Sequence, residues 1–451
     1  MSNSNLGLNR KISSVVSKNL IDTESDIYKQ ISEIVSEYTI EEDPIREYVI
    51  TKIETGEGDT DLLSEIKVLR NDFITHVTEN TFKKFVNLEE IYLPNCTDVD
   101  SYGFACCKNL KILDLPQVTS IKSYTFCTYK IENPNTYYST TSYYPIENLE
   151  IVNLPNLINV ENDGFIKCKS LKNLNAPNLT TIGIAAFYNC TSLTSIDLKN
   201  VTSLKSGSFS NCSNLTSIDL PECITELADR IFSGCTGLTS IDLKNVTSLG
   251  FGVFSGCTGL TSMDLKNVTS LAGYTFSGCT GLTSMDLKNV TTMGNTMFSN
   301  CTNLVSINLS ESITDISTDT FNSCTNLTSI DLKNVTNLGY RAFWNCKSLT
   351  SINLKNVNTV NKETFEYCNN LTSVIIPYNG IITIKEYSYE NNNDPITTFK
   401  HTPIANGTGY IYVPDSLVDS YKYDNKWSTY ASQIKPISEL PQEYKTLYNI
   451  T

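Results

Sequence analysis

The segment LTSIDLKNVTSLGFGVFSGCTG, residues 238–259, is followed at once by LTSMDLKNVTSLAGYTFSGCTG, residues 260–281. One template, L-x-x-I-x-L-x-x-V-x-x-L-x-x-x-x-F-x-x-C-x-x, covers both and extends through most of the chain. Its units start at Ile66, Leu88, Leu110, Leu149, Leu171, Leu193, Leu215, Leu238, Leu260, Leu282, Leu304, Leu327, Leu349 and Leu371, which makes fourteen. Most steps are 22 residues; two are 23, where PECITEL and SESITDI replace the KNVTSL form; the step from Leu110 to Leu149 is 39.

The template describes a coil that cannot fold alone. In LTSIDL, strand alternation turns Leu193, Ile196 and Leu198 inward and leaves Ser195 and Asp197 outward. Val201, Leu204 and Phe209 fill the rest of the interior. Twenty-two residues cannot close an apolar core, so successive units must stack into a solenoid with one continuous interior.

Composition agrees with a folded chain: 451 residues, 40% hydrophobic and 18% charged, with a formal net charge of −14. That charge opposes nucleic acid and anionic bilayers, both of which are gripped by clustered Lys and Arg. No run approaches the roughly 20 apolar residues of a membrane span, so no membrane insertion is expected. The opening MSNSNLGLNRKISSVV places Asn and Ser where a signal peptide would carry an apolar core. Bacterial surface by another route, virion and cytoplasm therefore all stay open as locations.

The motif F-x-x-C-x-x-L-x-x-I-x-L, seen in FSNCSNLTSIDL from Phe209, resembles the BspA-like class of leucine-rich repeats over residues 66–376. The end, YIYVPDSLVDSYKYDNKWSTYASQIKPISEL, resembles the tail that closes many such arrays. The resemblance implies an α/β-type repeat solenoid, a leucine-rich repeat horseshoe or arc with a parallel β-sheet on its concave side. It also implies an interaction or adhesion module of the kind found on bacterial surfaces, in some protists and in phage-associated proteins. The chain departs from the more familiar leucine-rich pattern at Val201, Val246 and Val268, where Asn or Cys would stand, so no interior Asn ladder is expected there.

Three regions follow. Residues 1–65 carry helical spacing, with Ile27, Ile31, Ile34, Val35 and Tyr38 on one face, and suit a capping or attachment segment. Self-association or particle attachment would run through residues 1–60. Residues 66–376 form the array. Residues 377–451 form an α+β C-terminal cap, with YIYVP as a strand and a helix from Asp415 or Ser416 carrying Leu417, Tyr421, Trp427 and Tyr430.

Eleven of the fifteen cysteines, from Cys107 to Cys368, occupy one template slot, which reads as a stacked row of small buried hydrophobes. No C-x-x-C pair suggests structural zinc, and no metal or cofactor is assigned. N-x-[ST] sequons recur at Asn200, Asn211, Asn245, Asn267, Asn289, Asn326, Asn334 and Asn370. Several flank buried positions, which argues against passage through a glycosylating pathway. With only His76 and His401, a nucleophile–base pair is hard to assemble, and no phosphate-binding loop occurs, so enzyme activity is not expected.

Two surfaces are candidates for recognition. The outward row Ser195, Asp197, Asp219, Asp242, Asp264, Asp286 and Asp331 repeats almost unchanged, as for a polymeric ligand or after simple duplication. It could collect calcium, but Lys199, Lys244, Lys266 and Lys288 two residues on favour a solvated, neutralised row. The long step is the more specific feature. CTYKIENPNTYYSTTSYYPIEN adds 17 residues with Tyr129, Tyr137, Tyr138, Tyr143 and Tyr144 among Ser, Thr and Asn, the composition of binding loops. Glu90 and Tyr92 lie in neighbouring coils whose outward residues vary. These features point to a non-enzymatic protein that recognises a surface protein or glycan. A structural or host-recognition part of a phage tail or baseplate, and an intracellular scaffold, are the alternatives.

Overall fold

The computed structural model describes residues 66–132, 140–385 and 397–450. All belong to the unit Thr60–Thr451. The N-terminal helical segment and its attachment role lie outside the described residues, as do Tyr137 and Tyr138.

Each 22-residue coil makes two short extended segments and two tight turns. The LTSIDL segment pairs with its counterpart in the next coil to give a first, parallel sheet. Its strands are Val68–Arg70, Glu90–Tyr92, Ile112–Asp114, Ile151–Asn153 and Asn173–Asn175, then Ser284–Leu287 with Ser306–Leu309, then Ser351–Asn353 and Ser373–Ile375. Two-residue strands such as Ser248–Leu249 and Ser270–Leu271 form a second parallel sheet. That second sheet is interrupted between Val99 and Ser120, between Leu204 and Glu226 and between Met293 and Asp315. The last two breaks fall where the step is 23 residues, with one extra residue ahead of the strand.

The α/β expectation needs correction, because the described repeats contain no α-helix and form a β-solenoid. The return path has no room for one. It must bend sharply at the residue before each cysteine, where Asn189, Asn211, Asn300 and Asn345 (φ 60–61°) alternate with Gly234, Gly256 and Gly278 (φ 73–74°). Glycine and asparagine tolerate this left-handed conformation best, which explains part of the asparagine content.

Inside the coils, ring follows ring. Phe82, Phe104, Phe126, Phe165, Phe187, Phe209, Phe232, Phe254, Phe276, Phe298, Phe321, Phe343, Phe365 and Phe399 stack in one column, with neighbouring centroids 4.9–6.0 Å apart. The cysteine row is buried as expected, and it also bonds. The thiol of Cys257 donates to the carbonyl of Phe232 at 3.0 Å, and Cys190, Cys212, Cys235, Cys279, Cys301, Cys324, Cys346 and Cys368 do the same one coil back. Burial pushes the Cys235 and Cys279 thiols up to about 12.

The first sheet is not continuous. The coils starting at Leu193, Leu215, Leu238, Leu260 and Leu327 follow the same path without ladder strands, and Ile196, Ile241 and Met263 there are half-buried rather than buried. Leu198, Leu243 and Leu265 remain buried, so the strand phase holds.

At the C-terminal end the column and both sheets run one coil beyond residue 376. Thr383–Lys385 extends the second sheet, and Tyr410–Val413 and Ile434–Pro436 extend the first. The YIYVP strand is therefore the next rung of the array. The exposed edge of Thr383–Lys385 is closed by side chains: Trp427 Nε1 donates to the Ile382 carbonyl (2.7 Å), Tyr421 Oη to that of Gly380 (2.8 Å) and Lys426 Nζ to that of Ile384 (2.9 Å). Edge carbonyls would otherwise offer a template for another strand. Tyr421 lies on the helix Val418–Tyr423, but the single helix expected from Asp415 ends there, and Trp427 and Tyr430 lie on a separate 3-10 segment, Trp427–Gln433. A last helix, Gln442–Tyr448, folds over the outward side of the first sheet. There Leu440, Tyr444 and Tyr448 cover Ile375 and Tyr412, and the Tyr448 and Ser351 hydroxyls lie 2.8 Å apart.

Two outcomes test this packing. Leu265→Asp should unfold the array or lower its stability by several kcal/mol, because it buries an unpaired charge at the core, whereas Ser262→Asp should stay within about 0.5 kcal/mol; urea melts of the two proteins check the phase. Thiol titration at pH 8 should find exposed Cys223 reacting fast and half-buried Cys106 more slowly. The thirteen buried cysteines should react only after denaturation.

Candidate functional site

The middle rows occupy their expected outward positions, yet their polar atoms serve the backbone. Asp197, Asp242, Asp264, Asp286 and Asp331 each accept the backbone N–H two residues ahead, at 2.9–3.2 Å, a side-chain turn that closes the corner after LTSIDL. Lysines of the same corners add contacts: Lys199, Lys244 and Lys288 lie 3.5, 3.9 and 3.4 Å from Asp197, Asp242 and Asp286. Asp219 is followed two residues on by Pro221, which has no N–H to donate. Ser195 is exposed.

Asparagine and threonine bind coil to coil. Asn200, Asn267, Asn289 and Asn334 donate to the carbonyls of Pro177, Lys244, Lys266 and Glu311 in the preceding coil, at 2.6–3.2 Å. Thr202, Thr247, Thr269, Thr291 and Thr336 donate similarly, at 3.1–3.4 Å. Val201, Val246 and Val268 are buried, so the asparagine ladder of this array runs along its outside.

The first coils differ. Register aligns Arg70, Tyr92, Asp114, Asn153 and Asn175 on the outward side of the first sheet. Asn175 donates to Asn153 (2.6 Å) and Asn153 to Asp114 (2.8 Å). Burial pushes the Asp114 carboxyl up, while the Asn153 amide and Arg70 pull it back. Tyr92 is only 8% exposed: the Arg70 guanidinium covers its ring at 4.2 Å and its hydroxyl donates to Glu90 at 2.9 Å. Tyr92 is therefore a buttress under Arg70 rather than an open contact, which corrects its reading as part of a free surface. Glu90 is half-buried beside it.

Of the inserted tyrosines, Tyr129, Tyr143 and Tyr144 lie on an antiparallel hairpin, Cys127–Glu132 with Thr140–Pro145. Tyr129 is paired in register with Tyr143, and Thr128 with Tyr144. Tyr144 is 47% exposed. The solenoid closes beneath the insertion, because Ile146 takes the cysteine slot: it is buried, and its N–H donates to the Phe126 carbonyl at 2.8 Å, as the cysteine N–H does in other coils.

His76 comes together with charges that the sequence did not connect to it. Its Nε2 lies 3.1 Å from Asp100 and 3.4 Å from Asp98. Lys122 Nζ sits 2.9 Å from Asp98 and 3.0 Å from Asp100, and its hydrogen bond holds the Asp100 carboxyl below the ordinary range. The ammonium fills the place a bound cation would take between these carboxylates. His401 is far along the array and stacks on Tyr367 at 4.4 Å. Nothing in these arrangements indicates catalysis. Among the described residues no helix is long and apolar enough to cross a membrane.

Sequence reading overlooked one edge of the coils. The two segments quoted at the outset differ chiefly in four consecutive residues, Gly250–Val253 against Ala272–Thr275, just before the buried phenylalanine. Aligning the coils with each other, rather than with a template, would have exposed it. On this edge Phe251 packs on Tyr274 (4.9 Å), and farther along Arg341 lies over Tyr340 and Trp344 while pairing with Glu363 at 2.7 Å.

The family model for the BspA type leucine rich repeat region matches residues 59–147, 136–261, 231–350 and 291–405. None of the curated proteins matches the sequence. Among solved structures, a leucine-rich repeat protein from Bacteroides ovatus is 22% identical, with 83% of this chain and 95% of that one covered and a TM-score of 0.53. One from Eubacterium ventriosum is 21% identical, with 70% and 84% covered and a TM-score of 0.48. The first supports the fold, and the matched repeats span well over half of the sequence: the chain belongs to the BspA-type leucine-rich repeat family.

Proposed function

We propose that the chain is a non-enzymatic adhesion or recognition protein that holds a surface protein or glycan at its first coils, through the tyrosine hairpin and the adjoining outward side of the first sheet. One observation carries the reading. The hairpin is not needed to close the core, since Phe126, Ile146 and Leu149 already restore the F-x-x-C-x-x-L spacing once residues 129–145 are left out. Tyrosines that packing does not require supply contact area at low entropic cost. The other end of the first sheet is covered by the chain's own Leu440, Tyr444 and Tyr448, whereas among the described residues no helix lies over its first strands.

Arg70 and Asp114 extend the surface beside Glu90, with Tyr92 supporting the guanidinium from below. Tyr129, Tyr137, Tyr138, Tyr143 and Tyr144 supply the aromatic part. The middle aspartate rows rank second, because their carboxylates are engaged with their own turns.

Deleting residues 129–145 should leave circular dichroism and melting temperature nearly unchanged. Retention of the labelled protein on arrayed extracellular proteins and glycans should fall at least tenfold. A folded deletion variant that binds the same targets as the parent would remove the hairpin from the site.

A further inference from the structure

Where the middle coils are otherwise copied, the four residues before each phenylalanine change every time. They read Lys205–Ser208, Ala228–Ile231, Gly250–Val253, Ala272–Thr275 and Gly294–Met297. The fourth is buried in each case. The third holds a left-handed backbone at Gly207, Arg230, Gly252, Tyr274 and Thr296, with φ between 54° and 64°; the side chains of Arg230 and Tyr274 are exposed there, while Thr296 is buried. Packing therefore sets the last residue of each quartet and leaves the middle two free to differ.

One coil on this edge is recessed. At Gly207 an added Cβ would meet nothing within 4 Å, and Ser210 beside it is small and buried. The preceding coil raises Ile184, 50% exposed, and Tyr188; the following coils raise Arg230 and Phe251. With Ser206 and Asp229 these six residues line a groove of about 510 Å³, in which the Asp229 carboxylate accepts the Phe251 backbone N–H at 2.8 Å. The Arg230 guanidinium lies 5.3 Å from the Phe251 ring centre and has no carboxylate partner among the described residues, unlike Arg341 at the same coil position, which Glu363 neutralises.

We propose that this groove binds an acidic saccharide, a sugar unit bearing a carboxylate. A guanidinium laid against an aromatic ring keeps its N–H fork open to a planar carboxylate. The Ile184 and Tyr188 wall offers apolar surface to the C–H face of a sugar ring, and Ser206 and Ser210 offer hydroxyls. A peptide strand fits less well, because the floor's backbone is already bonded between coils: Ala185 N–H donates to Ser206, Phe187 to Ser208 and Gly207 to Asp229, at 2.8–3.0 Å. With a net charge of −14 the chain as a whole repels polyanions, so binding must depend on Arg230 itself. The groove begins two coils beyond the one that carries the hairpin, is centred on the third, and is tested by different variants, so either site can fail alone.

The test is an array of glycans ending in glucuronate, galacturonate or sialate, each beside its neutral parent, with a Glu-rich peptide as comparison. The full chain should bind acidic members over their parents, and the uronate and sialate arms identify which source supplies the carboxylate. Arg230→Ala and Gly207→Tyr should each reduce binding at least tenfold with melting temperature unchanged. Tyr at 207 is compatible with the turn, since Tyr102, Tyr124 and Tyr274 hold the same conformation at this coil position. Arg341→Ala should bind as the parent does. Equal binding to the neutral parents, preference for the peptide, no binding to any member, or retention by Arg230→Ala would each overturn the proposal.

Discussion

A phenyl ring stacked on the ring of the next coil is the contact on which the rest of this molecule depends. The column from Phe82 to Phe399 passes through coils with and without first-sheet strands, through the 23-residue steps and beneath the hairpin. Because each ring packs on the same ring one coil away, every other residue meets its own counterpart. Whatever solves a problem in one coil then solves it in all of them, which is the physical origin of the near-identical sequence. The cysteine beside the column adds a thiol–carbonyl bond to the same alignment.

The same constraint reaches the surface. Exposed residues that repeat read, in sequence, as a periodic recognition face or a record of duplication, but most have a local task. Aspartate accepts the N–H of the corner, asparagine bonds the carbonyl of the coil before, and threonine does so one corner later. These bonds matter most over the coils from Leu193 to Leu265, where backbone ladder pairing of the first sheet is missing. Recognition has to use positions that stacking leaves free: the hairpin, the outward side of the first coils, and the varying turn before each phenylalanine.

Much of this was legible in the sequence because the core is periodic. The inward set, the buried cysteine slot, the strand phase of Leu265 and the closing role of Tyr421 and Trp427 all follow from spacing and side-chain type. What spacing could not show was how polar atoms are shared between coils. Asp264 reads as solvated, and only the fold brings it to the Lys266 N–H. Tyr92 reads as outward, and outward it is, but Arg70 from the neighbouring coil covers it. The last coil was hidden because additional residues separate Phe365 from Phe399, so no fixed period reaches it. The recessed edge at Gly207 was missed for the opposite reason: a template keeps what repeats and discards what varies.

The central claim is that exposed, copied residues fasten one coil to the next. Urea unfolding of a variant with Asn200, Asn267, Asn289 and Asn334 all changed to alanine tests it most directly, against a control with alanine at the exposed serines Ser195, Ser217, Ser240 and Ser262. At about 0.5–1 kcal/mol for each coil-to-coil hydrogen bond, the asparagine variant should lose roughly 2–4 kcal/mol while the serine variant stays near the parent. Equal stability of the two variants would contradict the account and return the repeated surface to recognition or simple copying.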